Sequence, residues 1–255
     1  MNRYTIPSLA CVSALALSAC SNSNNSTPPF AGAFRLVNGV SDSNGITASA
    51  SSGFPSTGTA NFDTAGSTVN PPEGGYNVQL FAGGSSTPFF TVNSVSIDHN
   101  NLTTVFTYGT ISGGTAKGFA AEENLGQPTS GNFTLQFVND TTQATTASLN
   151  VYLVKPGSSI TGVQPAAQAG AASASTAAAF AAGTYEIIVT NGVSTVYDSG
   201  KTQAGVVLPP VNTNVVQIGM LDATSSQASQ YGGSPVTLLL MDNNGGETLH
   251  YNGQN

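Results

Sequence analysis

Short runs in which apolar and polar residues alternate recur along the chain, separated by clusters of Gly, Pro, Asn and Ser. Ala33-Phe34-Arg35-Leu36-Val37-Asn38 is one such run, and Asn132-Phe133-Thr134-Leu135-Gln136-Phe137-Val138-Asn139 is another. Alternation at period 2 turns successive side chains to opposite faces, as in a strand with one face buried. The runs are rich in Val, Ile, Thr, Phe and Tyr, which fit a pleated surface, and turn residues return too often for long helices. The pattern predicts an all-β chain of antiparallel strands, built as sandwiches rather than as an α/β fold.

The runs also repeat. Gly74-Gly75-Tyr76-Asn77-Val78-Gln79-Leu80 matches Gly183-Thr184-Tyr185-Glu186-Ile187-Ile188-Val189. Leu102-Thr103-Thr104-Val105-Phe106-Thr107-Tyr108 and Asn214-Val215-Val216-Gln217-Ile218-Gly219-Met220 form a later, strongly β-branched pair. The offset is about 100 residues, an ordinary domain size. The expected organisation is a first β-sandwich over 33–125 and a second over 126–255. In each Gly-Tyr segment, Gly eases entry into the strand. Tyr buries its ring and keeps a hydroxyl for a backbone partner.

Pro165 to Ala182 is rich in Ala, the best helix former. Gly170 interrupts it, Ser173 and Ser175 compete for backbone groups, and no wide apolar face develops. Alignment of Ser175-Thr176-Ala177 with Ser67-Thr68-Val69 sets it opposite a segment that runs into Pro71-Pro72, where a helix cannot continue. Residues 173–182 are therefore read as extended or loop. Residues 160–172 are read as a mobile Ala/Gly-rich insertion.

The N-terminus carries a different signal. Arg3 precedes an apolar run from Ile6 to Leu17, which is signal-peptide length and too short to span a bilayer as a helix. It ends in Leu17-Ser18-Ala19-Cys20, a tetrapeptide that resembles the lipobox of bacterial lipoproteins. The resemblance implies cleavage after residue 19, acylation of Cys20 and anchoring to a membrane by two or three acyl chains. Cys11 would leave with the signal peptide, so no disulfide is expected. Residues 20–32 are small, polar and Pro-terminated and read as a tether. Ser21, rather than Asp, at the next position resembles outer-membrane sorting in enteric-type bacteria.

Composition narrows the function classes. Only 7% of residues are charged, against about 25% in a typical soluble domain. Without Arg3 the basic residues are Arg35, Lys117, Lys155 and Lys201. Four of these against 12 acidic residues give a net charge of −8. Nucleic acid is excluded as a partner, because phosphate neutralisation needs clustered Lys and Arg. Ser, Thr, Asn and Gln do the solvating that charges do elsewhere.

Tandem units with an early Arg35-Leu36-Val37-Asn38 strand and later Gly75-Tyr76-Asn77-Val78 and Ala182-Gly183-Thr184-Tyr185-Glu186-Ile187 strands, behind a lipobox, resemble bacterial lipoproteins with domain of unknown function 4397. The resemblance implies immunoglobulin-like β-sandwiches at the cell envelope and supplies no catalytic residues. The family's first strand usually continues into a His-Ala-Ser-Pro-type segment. Here Asn38 is followed by Gly39-Val40-Ser41-Asp42-Ser43, and Asn139 by Asp140-Thr141.

Candidate chemistry is sparse. His99 and His250 are the two histidines, and Asp98 beside His99 points to the other face of a strand, so no Ser-His-Asp arrangement is expected. Glu122-Glu123 read as solvation of the connection between units. Asp42-Ser43-Asn44-Gly45 and Asp242-Asn243-Asn244-Gly245-Gly246-Glu247 combine short oxygen ligands with Gly. Asp42, Asn44, Asp242, Asn244 and Glu247 are thus loop candidates for a hard cation, although their spacing is not that of an EF-hand and the same residues make ordinary turns. No cofactor is expected. The reading is a non-enzymatic, lipid-anchored envelope module that contacts a protein or glycan through loops and edge strands. The alternatives are a surface hydrolase working through carboxylates and a self-associating structural subunit.

Overall fold

The computed structural model describes residues 30–51, 53–124, 128–141, 148–201, 205–208, 215–222, 236–242 and 248–251. Cys20, Asn244, Glu247 and the side chains of Asp242 and His250 lie outside the described residues. The described chain is all β, with one 3-10 turn at Ser199–Lys201 and no helix long and apolar enough to cross a membrane.

The N-terminal half contains β1 (Ala33–Asn38), β2 (Ile46–Ser49), β3 (Thr64–Ala65), β4 (Gly74–Ala82), β5 (Phe90–Ile97), β6 (Asn101–Tyr108) and β7 (Lys117–Asn124). They form a sheet of order β3-β1-β6-β7 and a sheet of order β2-β4-β5. Phe34, Leu36, Ile46, Val78, Leu80, Val95 and Val105 fill the space between the two.

The C-terminal half contains β8 (Asn132–Asp140), β9 (Leu149–Val154), β10 (Ala167–Ala169), β11 (Ser173–Ala174), β12 (Ala178–Ala181), β13 (Gly183–Thr190), β14 (Thr195–Asp198), β15 (Val206–Leu208), β16 (Val215–Asp222), β17 (Val236–Asp242) and β18 (Thr248–Tyr251). One sheet runs β11-β8-β16-β17-β18, with β12 also on β8. The other runs β10-β9-β13-β14, with β15 also on β13. Phe133, Leu135, Phe137, Ile187, Val189, Ile218 and Leu240 lie in the core between them.

The halves share one plan. Leu36 accepts the Gly66 N–H at 2.8 Å, and Phe137 accepts the Ser175 N–H at 2.7 Å. Gly66 and Ser175 are therefore equivalent, and the alignment of Ser67 with Ser175 is corrected by one residue. Tyr76 donates its hydroxyl to the Pro72 carbonyl at 2.8 Å, and Tyr185 donates to the Ala181 carbonyl at 2.6 Å. Gly74 and Gly183 each stand against the ring of the Tyr two residues on, where a Cβ would lie 3.7 and 3.6 Å from ring carbon. The Gly-x-Tyr pattern is thus a local brace, made twice.

Most pairings are antiparallel, as the alternation predicts, but β1 pairs β6 in parallel and β8 pairs β16 in parallel. Parallel neighbours need a crossover. In the N-terminal half the chain supplies it by passing through the opposite sheet. Within residues 173–182, Ser173–Ala174 and Ala178–Ala181 are the strands β11 and β12, and 175–177 form a loop between them. The expected insertion at 160–172 requires correction, because Ala167–Ala169 pairs with β9 and buries Ala167 and Ala169. Alternate alanines are small enough to lie under that strand, so composition that suggests a loose loop here serves packing.

The halves stack through their central sheets. Val37, Phe106 and Ala121 of the first share one apolar cluster with Val138, Leu221, Leu239 and Met241 of the second. Strands of these sheets are therefore buried on both faces. β8 is buried at six consecutive positions from Leu135 to Asp140, whereas the outer strand β4 keeps alternation around Val78 and Leu80. Equivalent positions meet across the stack. Phe106 is opposite Val37 in register, and Gly219 is opposite Val138. A Cβ at Gly219 would lie 3.4 Å from Phe106 Cε1, so the missing side chain makes room for the ring.

A polar seam crosses the same interface. Arg35 is 1% exposed. Its Nε donates to Thr104 Oγ1 at 3.4 Å and its Nη2 to Gln217 Oε1 at 3.1 Å. Gln217 donates to Gln136 Oε1 at 2.7 Å, and Gln136 Nε2 donates to the carbonyls of Glu122 and Ser175. A buried guanidinium is tolerable only when its donors are engaged, and this seam engages them from both halves.

Candidate binding face

The outer face of the β2-β4-β5 sheet is solvent-exposed. Gly75, Asn77 and Gln79 point outward from β4. On β5, Asn93 and Ser94 are both exposed, and alternation resumes only after Ser94. The cause is a bulge: the register of β4 against β5 shifts between Tyr76 and Val78, and Ser94 takes a φ of 57°. A non-Gly residue in that region costs about 1–3 kcal/mol and needs external support. Asn77 provides it by accepting the Ser94 N–H on its Oδ1 at 3.1 Å.

Beside this bulge is an open depression of about 530 Å³, lined by Ser51, Gly75, Tyr76, Asn77, Ser94 and Ser96. Space is open over Gly75, where no atom lies within 4 Å of where its Cβ would be. The lining offers hydroxyls and an amide, with no Asp, Glu, Lys or Arg, while the Tyr76 ring packs inward against Phe54. Asp98 touches the rim by accepting the Ser96 hydroxyl at 3.3 Å. A second depression, of about 460 Å³, lies between the free edges of β5 and β7 and is lined by residues including Phe90, Val92, Gly118 and Glu122. There Gly118 lets the sheets approach, because a Cβ would come within 2.7 Å of Leu80 Cδ1.

Among the described residues, those singled out from sequence do not cluster as a metal-holding group. Asp42 is exposed, and its two carboxylate oxygens accept the N–H groups of Ile111 and Ser112 at 2.7 and 2.8 Å. Burial acts to raise its pKa, but the hydrogen bonds from Ser112 and Ile111 outweigh it and hold the carboxyl below its ordinary value. Asp42 thus fastens the loop after β6 to the loop after β1. Asn44 is exposed beside Gly83 and joins no ligand set with it. Among the described residues no group of three or more His, Cys, Asp or Glu is placed to hold a metal ion.

His99 faces Glu73 at 3.6 Å rather than Asp98, and its ring lies against Phe30 with centroids 5.2 Å apart. The other ring nitrogen is 2.7 Å from Asn100 Nδ2. Glu122 is exposed as expected, but the expectation for Glu123 is corrected: it is 1% exposed. Alternation along β7 puts it on the stacked face with Phe119 and Ala121 while Glu122 points the other way.

Sequence reasoning missed two features, the Asn77–Ser94 bulge and the burial of Asp140. The first has no local signature in Thr91-Val92-Asn93-Ser94-Val95. The second had a trace, since Asp140 occupies the repeat position of Gly39.

No family model matches the chain, and no curated protein does. Among solved structures it is similar to a leucine-rich repeat protein from Bacteroides thetaiotaomicron VPI-5482, with 10% identity and a TM-score of 0.21 over 65% of this chain and 23% of that one. A likeness of that size carries no argument about fold or function.

Proposed function

We propose that the chain is a lipid-anchored, non-enzymatic module of the bacterial cell envelope, held at the outer membrane through Cys20, whose immunoglobulin-like first half binds a neutral glycan. The observation that carries the binding role is the depression around Gly75. It is concave, free of formal charge, and lined by Ser hydroxyls and the Asn77 amide. Neutral sugars are recognised by hydroxyl and amide groups, and an uncharged lining avoids desolvating ions. The lipobox-like Leu17-Ser18-Ala19-Cys20 and the resemblance to tandem domain 4397 lipoproteins support the compartment. The tether read from the sequence over 20–32 is shortened by the fold, since Ala31 pairs with Pro72 and the Gly32 N–H donates to the Pro71 carbonyl at 3.0 Å.

For the hydrolase alternative, the Asp222 charge acts on Asp140, but Asp140 has no exposed surface through which a substrate could reach it.

The test is retention of the protein on immobilised neutral polysaccharides extracted from the producing cell's envelope. Gly75→Leu fills the depression without a steric conflict, because space is open there. Retention of the wild type and its loss in Gly75→Leu, with an unchanged unfolding midpoint, is the expected result. Equal retention of both proteins, or of neither, refutes the glycan role.

A further inference from the structure

At one end of the stack two equivalent positions touch. Gly39 follows Asn38 and Asp140 follows Asn139 in the matched strands. A Cβ at Gly39 would lie 2.8 Å from Asp140 Oδ2, 2.4 Å from the Thr107 carbonyl oxygen and 3.2 Å from Leu221 Cδ2. The Asp140 carboxyl therefore fills the space that a side chain on Gly39 would take.

The carboxyl has no exposed surface, and both its oxygens are without a hydrogen-bond donor. The groups around it do not neutralise a negative charge. β8 itself contributes Asn139, whose Nδ2 also lacks a partner. β16 contributes apolar Leu221 and then Asp222, whose charge opposes ionisation of Asp140. β6 contributes Tyr108, which Asp140 affects in turn. On β7 the register partner of Tyr108 is Lys117, which is exposed. Asp42, in the loop after β1, is exposed and already bound to Ile111 and Ser112. A buried carboxylate without donors or a counter-ion is strongly disfavoured, whereas a neutral carboxyl fits an apolar interface.

We propose that Asp140 is a proton-controlled latch between the two halves: protonated, it lets the central sheets close over it, and ionised, it opens the end of the interface formed by Gly39, Thr107, Tyr108 and Leu221. Burial and then the Asp222 charge push its pKa well above the ordinary carboxylate value. The sign follows from linkage. A carboxyl whose pKa is raised in the closed state contributes fully below its ordinary pKa. That contribution falls as pH rises through the interval up to the raised value. An envelope protein meets external pH directly, so the latch would tighten the stack in acid and loosen it toward alkaline conditions. This role is independent of glycan binding, because Asp140 and Gly75 lie on different sheets.

The experiment is amide hydrogen exchange of the full chain across pH 4–9, corrected for intrinsic exchange, read at Val40 and Tyr108 and compared among the wild type, Asp140→Asn and Asp222→Asn. One ionising group predicts that the wild-type opening constant rises by about tenfold per pH unit and then levels off. Asp140→Asn, which keeps shape without a titrating proton, should show a flat opening constant. Asp222→Asn should level off at lower pH, because one opposing charge is gone. Carboxyls other than Asp140 and Asp222 titrate in all three proteins, so the difference between the wild type and Asp140→Asn isolates Asp140. A wild-type profile that is flat, or that persists in Asp140→Asn, overturns the proposal. An Asp222→Asn profile superimposable on the wild type removes Asp222 from it.

Discussion

Gly219→Val would probe the stack where its two halves fit most closely. Gly219 lies inside β16 with no left-handed φ, so its backbone accepts any residue. A Cβ there would be 3.3 Å from Met241 Cε, 3.4 Å from Phe106 Cε1 and 3.5 Å from Leu221 Cδ1. Ala should therefore be nearly neutral. Val adds two carbons about 1.5 Å beyond that Cβ, and with neighbours on three sides at least one of them must displace the Phe106 ring. Overpacking of this kind costs about 1–3 kcal/mol, offset by up to about 1 kcal/mol from the strand preference of Val. The net expectation is a loss of about 2 kcal/mol in urea unfolding. Phe106→Leu alone should cost about 1–2 kcal/mol, since Phe106 is fully buried and stacked on Phe119 with centroids 5.7 Å apart. Combined, the two changes relieve each other, and the double mutant should be more stable than the sum of the single losses by at least about 1 kcal/mol. Additivity within about 0.4 kcal/mol would mean that the residues do not touch, and the face-to-face arrangement would be refuted.

Other consequences can be checked in the same way. Tyr76→Phe and Tyr185→Phe should each cost about 1 kcal/mol in denaturant unfolding, and the costs should add, because the braces sit in separate halves. Arg35→Met strips the donors from Gln217 in a buried seam and should cost about 3 kcal/mol, whereas Lys155→Met, at an exposed site, should change the unfolding midpoint little. Asp42→Ala should speed hydrogen exchange at Ile111 and Ser112. Because the Asp42 pKa is lowered in the folded state, its contribution is present above the ordinary carboxylate pKa and is lost as pH falls through the folded value; the variant should lack that acid-dependent component.

Much of the architecture is legible in the sequence, and for identifiable reasons. The outer strand β4 solvates one face, so its alternation survives, and the Gly-x-Tyr brace recurs because it is built from local contacts. The non-helical course of 173–181 is readable, since Ser and Gly undercut the helix preference of the neighbouring alanines. The stack was not readable. In β1, β6, β8 and β16 both faces are covered, so alternation fades, and polar residues such as Arg35, Gln136, Gln217 and Thr104 stand at positions that look solvated. Arg35 and Gln217 are partners across the halves, 182 residues apart in sequence, and Gln136 reaches the Glu122 carbonyl of the first half. The same distance hides Asp140, whose burial depends on the absence of a side chain at Gly39. The candidate binding face was hidden differently, because the bulge that aims Ser94 outward depends on Asn77 in the neighbouring strand.

The claim that the protein works from a lipid anchor in the envelope is tested most directly by metabolic labelling with a radioactive fatty acid in the producing bacterium, followed by membrane fractionation of the wild type and Cys20→Ser. The wild type should carry label and sediment with outer membranes, and Cys20→Ser should be unlabelled and released. An unlabelled wild type, or a Cys20→Ser protein that stays with the membranes, would contradict the account.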